Sequence, residues 1–289
     1  MDPSVRIERA LESAVLRAAA PACPPGLAQA LGYAVFPGGA RVRPRLCLAV
    51  AWACGDGDPE TTDAAAAAIE LLHCASLVHD DLPCFDDSPM RRGRPSVHSA
   101  FGERLAVLAG DALIVLAFQT LARRIPAAPL NLAAVMTTVG ESVGAPIGIC
   151  AGQAWECEGE VVLKDYHREK TGSLFVAATV AGAQSVGAPT EAWRLVGERL
   201  GEAYQVADDL GDATGARQGF GKPVGRDDSL GRPNAVLELG VSGAVHRLKD
   251  LVASAIEAIP PCPGGAALQA LIAAESRRIL PEELSRLAA

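Results

Sequence analysis

Apolar positions recur every three or four residues along most of the chain, and proline and glycine punctuate the gaps. That pattern reads as a succession of helices. An amphipathic run covers Val5 to Ala19 and stops at the PACPPG segment, 21–26. The FPGGARVRPRL stretch, 36–46, makes a glycine turn that opens a helix through about Cys54, and GDGDPE at 55–60 reads as a loop. A long helix from Thr61 carries an aspartate cluster at its C-terminal end, with Pro83 inside that cluster as a breaker. Further helices are expected over 103–122, 131–150, 170–187 and 190–212. From Asp227 onward, short helices alternate with breaks at GRPNA and PPCPGG. Period-two alternation and fixed-period repeats are both lacking, so strands and solenoids are not expected. The expectation is an all-α single domain over 1–289, a helical bundle around one deep central cavity.

Composition sharpens this. Of 289 residues, 49% are hydrophobic and only 4% aromatic, an alanine- and leucine-rich balance that favours helix over strand. A formal charge of -8 without a basic stripe speaks against non-specific nucleic-acid binding. An anionic substrate must therefore be drawn in by metal ions and local Arg or Lys. Eight cysteines without a CxxC pair read as reduced thiols of a cytoplasmic protein, most of them small core residues. MDPSVRIERALESAV has no signal-peptide pattern, and the apolar stretch Ala64 to Val78 is interrupted by Glu70 and His73. A core helix fits it better than a membrane span.

The chemistry concentrates in two stretches. In LLHCASLVHDDLPCFDDSPMRRGRPSVH, 71–98, an apolar helix ends in Asp80, Asp81, Asp86 and Asp87, and Arg91 and Arg92 follow. Close carboxylates stay ionised near neutral pH only with cations among them. Oxygen-only ligand sets suit magnesium completed by substrate phosphates, and arginines beside them clamp phosphate oxygens. The second stretch, 201–226, ends another helix in Asp208, Asp209 and Asp212 and has Lys222 in a glycine-rich segment. Asp208 and Asp212 are four apart and share a helix face. One acidic run is ordinarily solvated surface; two, each closing an apolar helix beside basic residues, point to a magnesium–diphosphate site.

The landmarks GGARVRP (38–44), HDDLPCFDDSPMRRG (79–93), GDAL (110–113), GQ (152–153), REKTG (168–172), YQVADDLGD (204–212) and GKPVG (221–225) stand in one order. By them the chain resembles the trans-isoprenyl diphosphate synthases across nearly its whole length, most of all the bacterial geranylgeranyl diphosphate synthases of carotenoid and photosynthetic pigment pathways. The resemblance implies a homodimeric, magnesium-dependent prenyltransferase that condenses isopentenyl diphosphate with an allylic diphosphate, with three ions when substrate is bound. It implies Asp80, Asp86, Asp208 and Asp212 as metal ligands, supported by Asp81 and Asp87. Arg91, Lys170, Thr171 and Lys222 would hold the allylic diphosphate, and Arg43, His73 and Arg92 isopentenyl diphosphate. Thr171 and Gln205 would set oxygen dipoles beside the developing carbocation.

One position departs. Gly38-Gly39-Ala40-Arg41 stands where the family has GGKR, so a lysine grip on isopentenyl diphosphate is absent, for which Arg41 or Arg43 would compensate. Ala75 and Ser76 precede Asp80 by five and four residues, roughly 6–8 Å down the helix. Family members stopping at fifteen carbons commonly carry an aromatic at that level; the small side chains here imply a twenty-carbon product. The alternatives are a fifteen-carbon farnesyl diphosphate synthase and a non-catalytic partner subunit. A terpene cyclase is disfavoured by the low aromatic content, and an HD-type phosphohydrolase built on His79-Asp80 lacks the further histidines it needs. Without the family match, His73 reads as a core or surface histidine, and Trp155 and Glu156, after Gly152-Gln153, read either as cavity lining or as plain packing.

Overall fold

A computed structural model describes residues 2–55, 58–158, 168–214 and 235–279. The helices are α1 (Pro3–Ala18), α2 (Pro25–Val35), α3 (Val42–Ala53), α4 (Pro59–Asp80), α5 (Val97–Phe101), α6 (Glu103–Ala122), α7 (Pro129–Val143), α8 (Ile149–Ala154), α9 (Ser173–Ser185), α10 (Glu191–Thr214), α11 (Ala235–Glu257) and α12 (Gly265–Ile279). The all-α expectation holds. A two-residue antiparallel ribbon, Met90–Arg91 against Arg94–Pro95, is the sole sheet among the described residues.

The centre is α4, which packs against α6, α3 and α9. Its alanine run 64–68 is almost wholly buried, so neighbouring backbones approach closely on every side. Asp58 caps the start by accepting from the Thr61 amide, and Pro59 occupies the first turn, where no N–H is needed. α9, alanine-rich likewise, lies against α3, α7, α4 and α10, and α10 against α11. α6 is long and apolar enough to cross a membrane by composition, yet it lies along α4 in the bundle.

Several features differ from the sequence expectation. α2 fills a stretch between the PACPPG and FPGG breaks that had been assigned no element. The helix expected over 131–150 ends at Val143, because Gly144 and Pro146 interrupt it before α8 begins at Ile149. Gly148 has φ 109°, and a Cβ there would lie 2.6 Å from the Glu141 carbonyl oxygen, so that corner needs glycine. Finally, α11 is a long element interrupted by a non-helical Gly240, where shorter pieces were expected.

Candidate active site

Among the described residues, a cavity of about 780 Å³ is lined by α3, α4, α8, α10 and the turn at 168–172. At its mouth α4 ends. Pro83 prevents the helix from continuing, and the loop curls back so that its amides satisfy the last carbonyls. Leu82 N donates to His79 O at 3.1 Å, Asp86 N to Asp80 O at 2.9 Å and Ser88 N to Asp81 O at 3.1 Å. This curl brings the Asp86 backbone onto Asp80. Asp80, Asp81 and Asp86 are all buried, while Asp87 is exposed. Carboxylates at a helix C-terminus face a backbone dipole already negative there, so the cluster calls for cations. The protein supplies two. Arg91 closes on Asp81, with Nε 3.0 Å from each oxygen and Nη2 also on Oδ1. Lys170 Nζ lies 3.4 Å from Asp80 Oδ1 and 2.5 Å from Glu156 Oε1. Burial opposes the Arg91 charge, but Asp81, Asp80 and Asp86 outweigh it and raise its pKa.

The REKTG segment forms a single wide π turn, Arg168–Gly172, ahead of α9. Gly152 explains how it reaches the cavity, since a Cβ there would lie 2.5 Å from the Lys170 amide nitrogen. Glu169 fixes the other side by accepting from Gly148 N at 2.7 Å. Gln153 donates to Glu156 at 3.0 Å and so orients the carboxylate that grips Lys170. Glu156 thus stands beside the cavity through Lys170, the first of the two alternatives, cavity or packing, that its place after Gly152-Gln153 left open. Across the cavity α10 presents Gln205 and Asp208, and Thr171 donates to Gln205 Oε1 at 2.8 Å. Asp212 ends half-buried near the close of the same helix, and Lys222 lies outside the described residues.

The third wall carries Arg43, His73 and Arg92. Arg43 is 9% exposed, and its Nε has no hydrogen-bond partner among the described residues. Its guanidinium stacks 4.8 Å from the Phe175 ring centroid and reaches His73 Nε2 at 3.5 Å. A buried, under-partnered guanidinium is a demand for an anion. Burial, with Arg43 and Arg92 alongside, holds the His73 imidazole well below its ordinary value, so the ring is neutral and accepts from Arg43. Arg92 lies over Gly39, where a Cβ would sit 2.8 Å from Nη2. Ala40 lines the same wall. Arg41 does not substitute for the missing lysine: it is locked by Glu8 at 2.8 Å, Glu70 at 2.7 Å and the Val35 carbonyl at 2.9 Å. A Cβ on Gly38 would fall 2.0 Å from that pinned guanidinium, which accounts for the first glycine.

Away from the charged side chains the lining is small or apolar, with Leu72, Ala75, Ser76, Ile114, Val143 and Ile149, and Phe85 and Tyr204 are its aromatic members among the described residues. His79 is not a ligand candidate: its Nε2 faces the Val107 carbonyl at 3.3 Å and Asp111 at 3.6 Å, in space left by Gly110.

Among the described residues no three acidic, imidazole or thiol groups converge closely enough to hold a metal ion unaided. Magnesium keeps waters and takes one or two carboxylates plus substrate phosphates. Asp80 and Asp208, hard oxygen donors at the cavity, fit it.

The polyprenyl synthetase family model matches residues 24–259. The chain is 52% identical over 280 residues to a geranylgeranyl diphosphate synthase of Cereibacter sphaeroides, covering 97% of each chain. Against a farnesyl diphosphate synthase of Geobacillus stearothermophilus it is 38% identical over 255 residues, 84% of each. Its fold matches a Helicobacter pylori geranyltransferase, solved with magnesium and isoprenyl diphosphate, with TM-score 0.81 at 25% identity over 96% of each chain. With two aspartate-bearing helix ends, a π turn and an arginine wall opening into one cavity, the chain belongs to the polyprenyl synthetase family.

Proposed function

We propose that this protein is a magnesium-dependent geranylgeranyl diphosphate synthase, joining isopentenyl diphosphate head-to-tail to an allylic diphosphate until the chain has twenty carbons. The observation that carries it is one cavity holding three things at once: carboxylates with Lys170, a separate wall of Arg43, His73 and Arg92, and a small-residue apolar reach at Ala75 and Ser76. The first relative's name supports the twenty-carbon product, and the fifteen-carbon relative is more distant.

Asp80, Asp86, Asp208 and Asp212 are the residues that would hold the ions, three of them with substrate bound. Bound magnesium neutralises charge on the departing diphosphate. Lys170 and Arg91 hold the allylic diphosphate, joined by Lys222. The allylic C–O bond breaks with the electron pair leaving on diphosphate, the isopentenyl double bond attacks the cationic carbon, and the proton then lost passes to the departed diphosphate. Thr171 and Gln205 present oxygens toward the cationic carbon, and the aliphatic lining excludes water that would quench it. Arg43, Arg92 and neutral His73 keep isopentenyl diphosphate in reach without adding a proton donor. We place the protein in the cytoplasm, in keeping with its eight free thiols. We also infer a homodimer joined through α6, whose Leu108 and Val115, one above the other, are 52% and 54% exposed.

The test is to size the products made from labelled isopentenyl diphosphate with dimethylallyl, geranyl or farnesyl starters. The wild type is expected to give a magnesium-dependent twenty-carbon alcohol after dephosphorylation, and Ala75→Tyr a fifteen-carbon one at comparable turnover. A fully active Ala75→Tyr with an unchanged product would overturn the chain-length reading, and a folded wild type elongating no starter would overturn the enzyme reading.

A further inference from the structure

Asp209 follows Asp208 directly but turns away from the cavity and is buried. One of its oxygens, Oδ1, accepts from Gln205 Nε2 at 2.9 Å, and the other, Oδ2, accepts from the Ala235 amide at 2.8 Å, at the first residue of α11. Gln205 and Asp209 are four apart on α10, so their side chains meet along one face. A glutamine amide has two ends, and its environment decides which faces where. An ionised carboxylate only accepts, so Asp209 takes the NH₂ end and forces the carbonyl end of Gln205 toward Thr171 and the cavity. Thr171 must then spend its only O–H on Gln205 Oε1, at 2.8 Å, leaving oxygen lone pairs at the cavity wall. The direction of every dipole along this row follows from the charge at its buried end.

We propose that Asp209 is a positioning residue for the condensation, acting through Gln205 to keep two oxygens, and no N–H, aimed where positive charge develops. The inference rests on the elongation reading above. Were the amide free to turn over, its NH₂ would face the cavity and the same residue would oppose the cation it now stabilises. Because Asp209 also ties the start of α11 to α10, loss of activity alone would not distinguish positioning from simple support of the fold.

A double-mutant cycle separates the two. Asp209→Asn removes the charge with little change of shape, and the expected result is a kcat lower by about ten- to a hundredfold, the usual scale for a group that orients another. KM for isopentenyl diphosphate stays within about twofold, since its wall is elsewhere. Gln205→Leu removes the amide while leaving the tie to Ala235, and adding Asp209→Asn to it should lower kcat no further, whereas any loss of melting temperature persists in both backgrounds. A second readout does not depend on turnover. In protein labelled with ¹⁵N at glutamine side chains, the Gln205 NH₂ should be protected from hydrogen exchange in the wild type and exposed in Asp209→Asn. Additive kcat losses, or Gln205 protection that survives Asp209→Asn, would overturn the inference. A folded wild type with a protected Gln205 amide but no elongation would instead overturn the functional reading, and with it the role in condensation, leaving only the Asp209–Gln205 contact.

Discussion

The ends of α4 and α10 carry the same pair of neighbouring aspartates and use them in the same divided way. Asp80 and Asp208 line the cavity. Asp81 and Asp209, each one residue on, are buried and hold another side chain of the site: Arg91 on Asp81, Gln205 on Asp209. Successive residues at a helix end point about 100° apart, so two adjacent carboxylates cannot both face one cavity. The partners differ in kind: a guanidinium at the first motif and an amide at the second. On the proposed reading the first serves a diphosphate and the second a carbocation. Asp81, expected to support the metal, is engaged through both oxygens by Arg91 and lies outside the cavity lining. On the proposed reading it supports the metal site by holding Arg91 in place.

The comparison can be broken in several places. The largest effect is expected from the cavity-lining pair: Asp80→Ala or Asp208→Ala should lower kcat for elongation by at least about a hundred- to a thousandfold, measured by initial rates at saturating magnesium. Asp81→Asn is expected to act on the fold as well, since it removes the charge paired most closely with a largely buried guanidinium and leaves it only Asp80, at 4.0 Å, and Asp86. Breaking such a pair costs about 3 kcal/mol, read from urea melts, and a loss below about 0.5 kcal/mol would contradict the burial account. Gly152→Ala tests the shared π turn, where the new Cβ would meet the Lys170 backbone at 2.5 Å. Overpacking of that kind costs about 1–3 kcal/mol, and displacement of Lys170 should lower kcat more than it raises KM for isopentenyl diphosphate.

The smallest effect concerns pH. Burial, then Arg43 and Arg92, hold the His73 pKa well below its ordinary value in the folded chain. Between that depressed value and the unfolded value of about 6.5, the unfolded chain binds more protons. Stability therefore falls as pH drops below about 6.5, by at most about 1.4 kcal/mol per pH unit from this group. His73→Gln should flatten the acid limb of the melting temperature against pH; an unchanged limb would show that His73 is not responsible.

Much of this was legible in the sequence because it is local. The α6 boundaries follow from its apolar periodicity and the end of α4 from Pro83, while the roles given to Asp80 and Asp208 rested on the family landmarks around them. What escaped depends on distance along the chain. Lys170 meets Asp80 across 90 residues and Arg41 meets Glu70 across 29, so nothing in the local pattern announces that one arginine is locked and another under-partnered. The break at 144–148 was legible in principle from Gly144 and Pro146, but the run of apolar residues around it masked the signal. The Gln205–Asp209 spacing was also in view, yet it acquires meaning only once Thr171, 34 residues upstream, stands opposite Gln205.

The most direct test of the divided aspartate pairs is calorimetry with a non-ionisable farnesyl thiolodiphosphate, with and without magnesium. In wild type, Asp81→Asn and Asp209→Asn, magnesium should tighten binding by at least about tenfold, one step of 1.4 kcal/mol. In Asp80→Asn and Asp208→Asn that magnesium-dependent gain should be lost. Loss of the gain in Asp81→Asn and Asp209→Asn to the same degree as in Asp80→Asn and Asp208→Asn would contradict the division of labour at both helix ends.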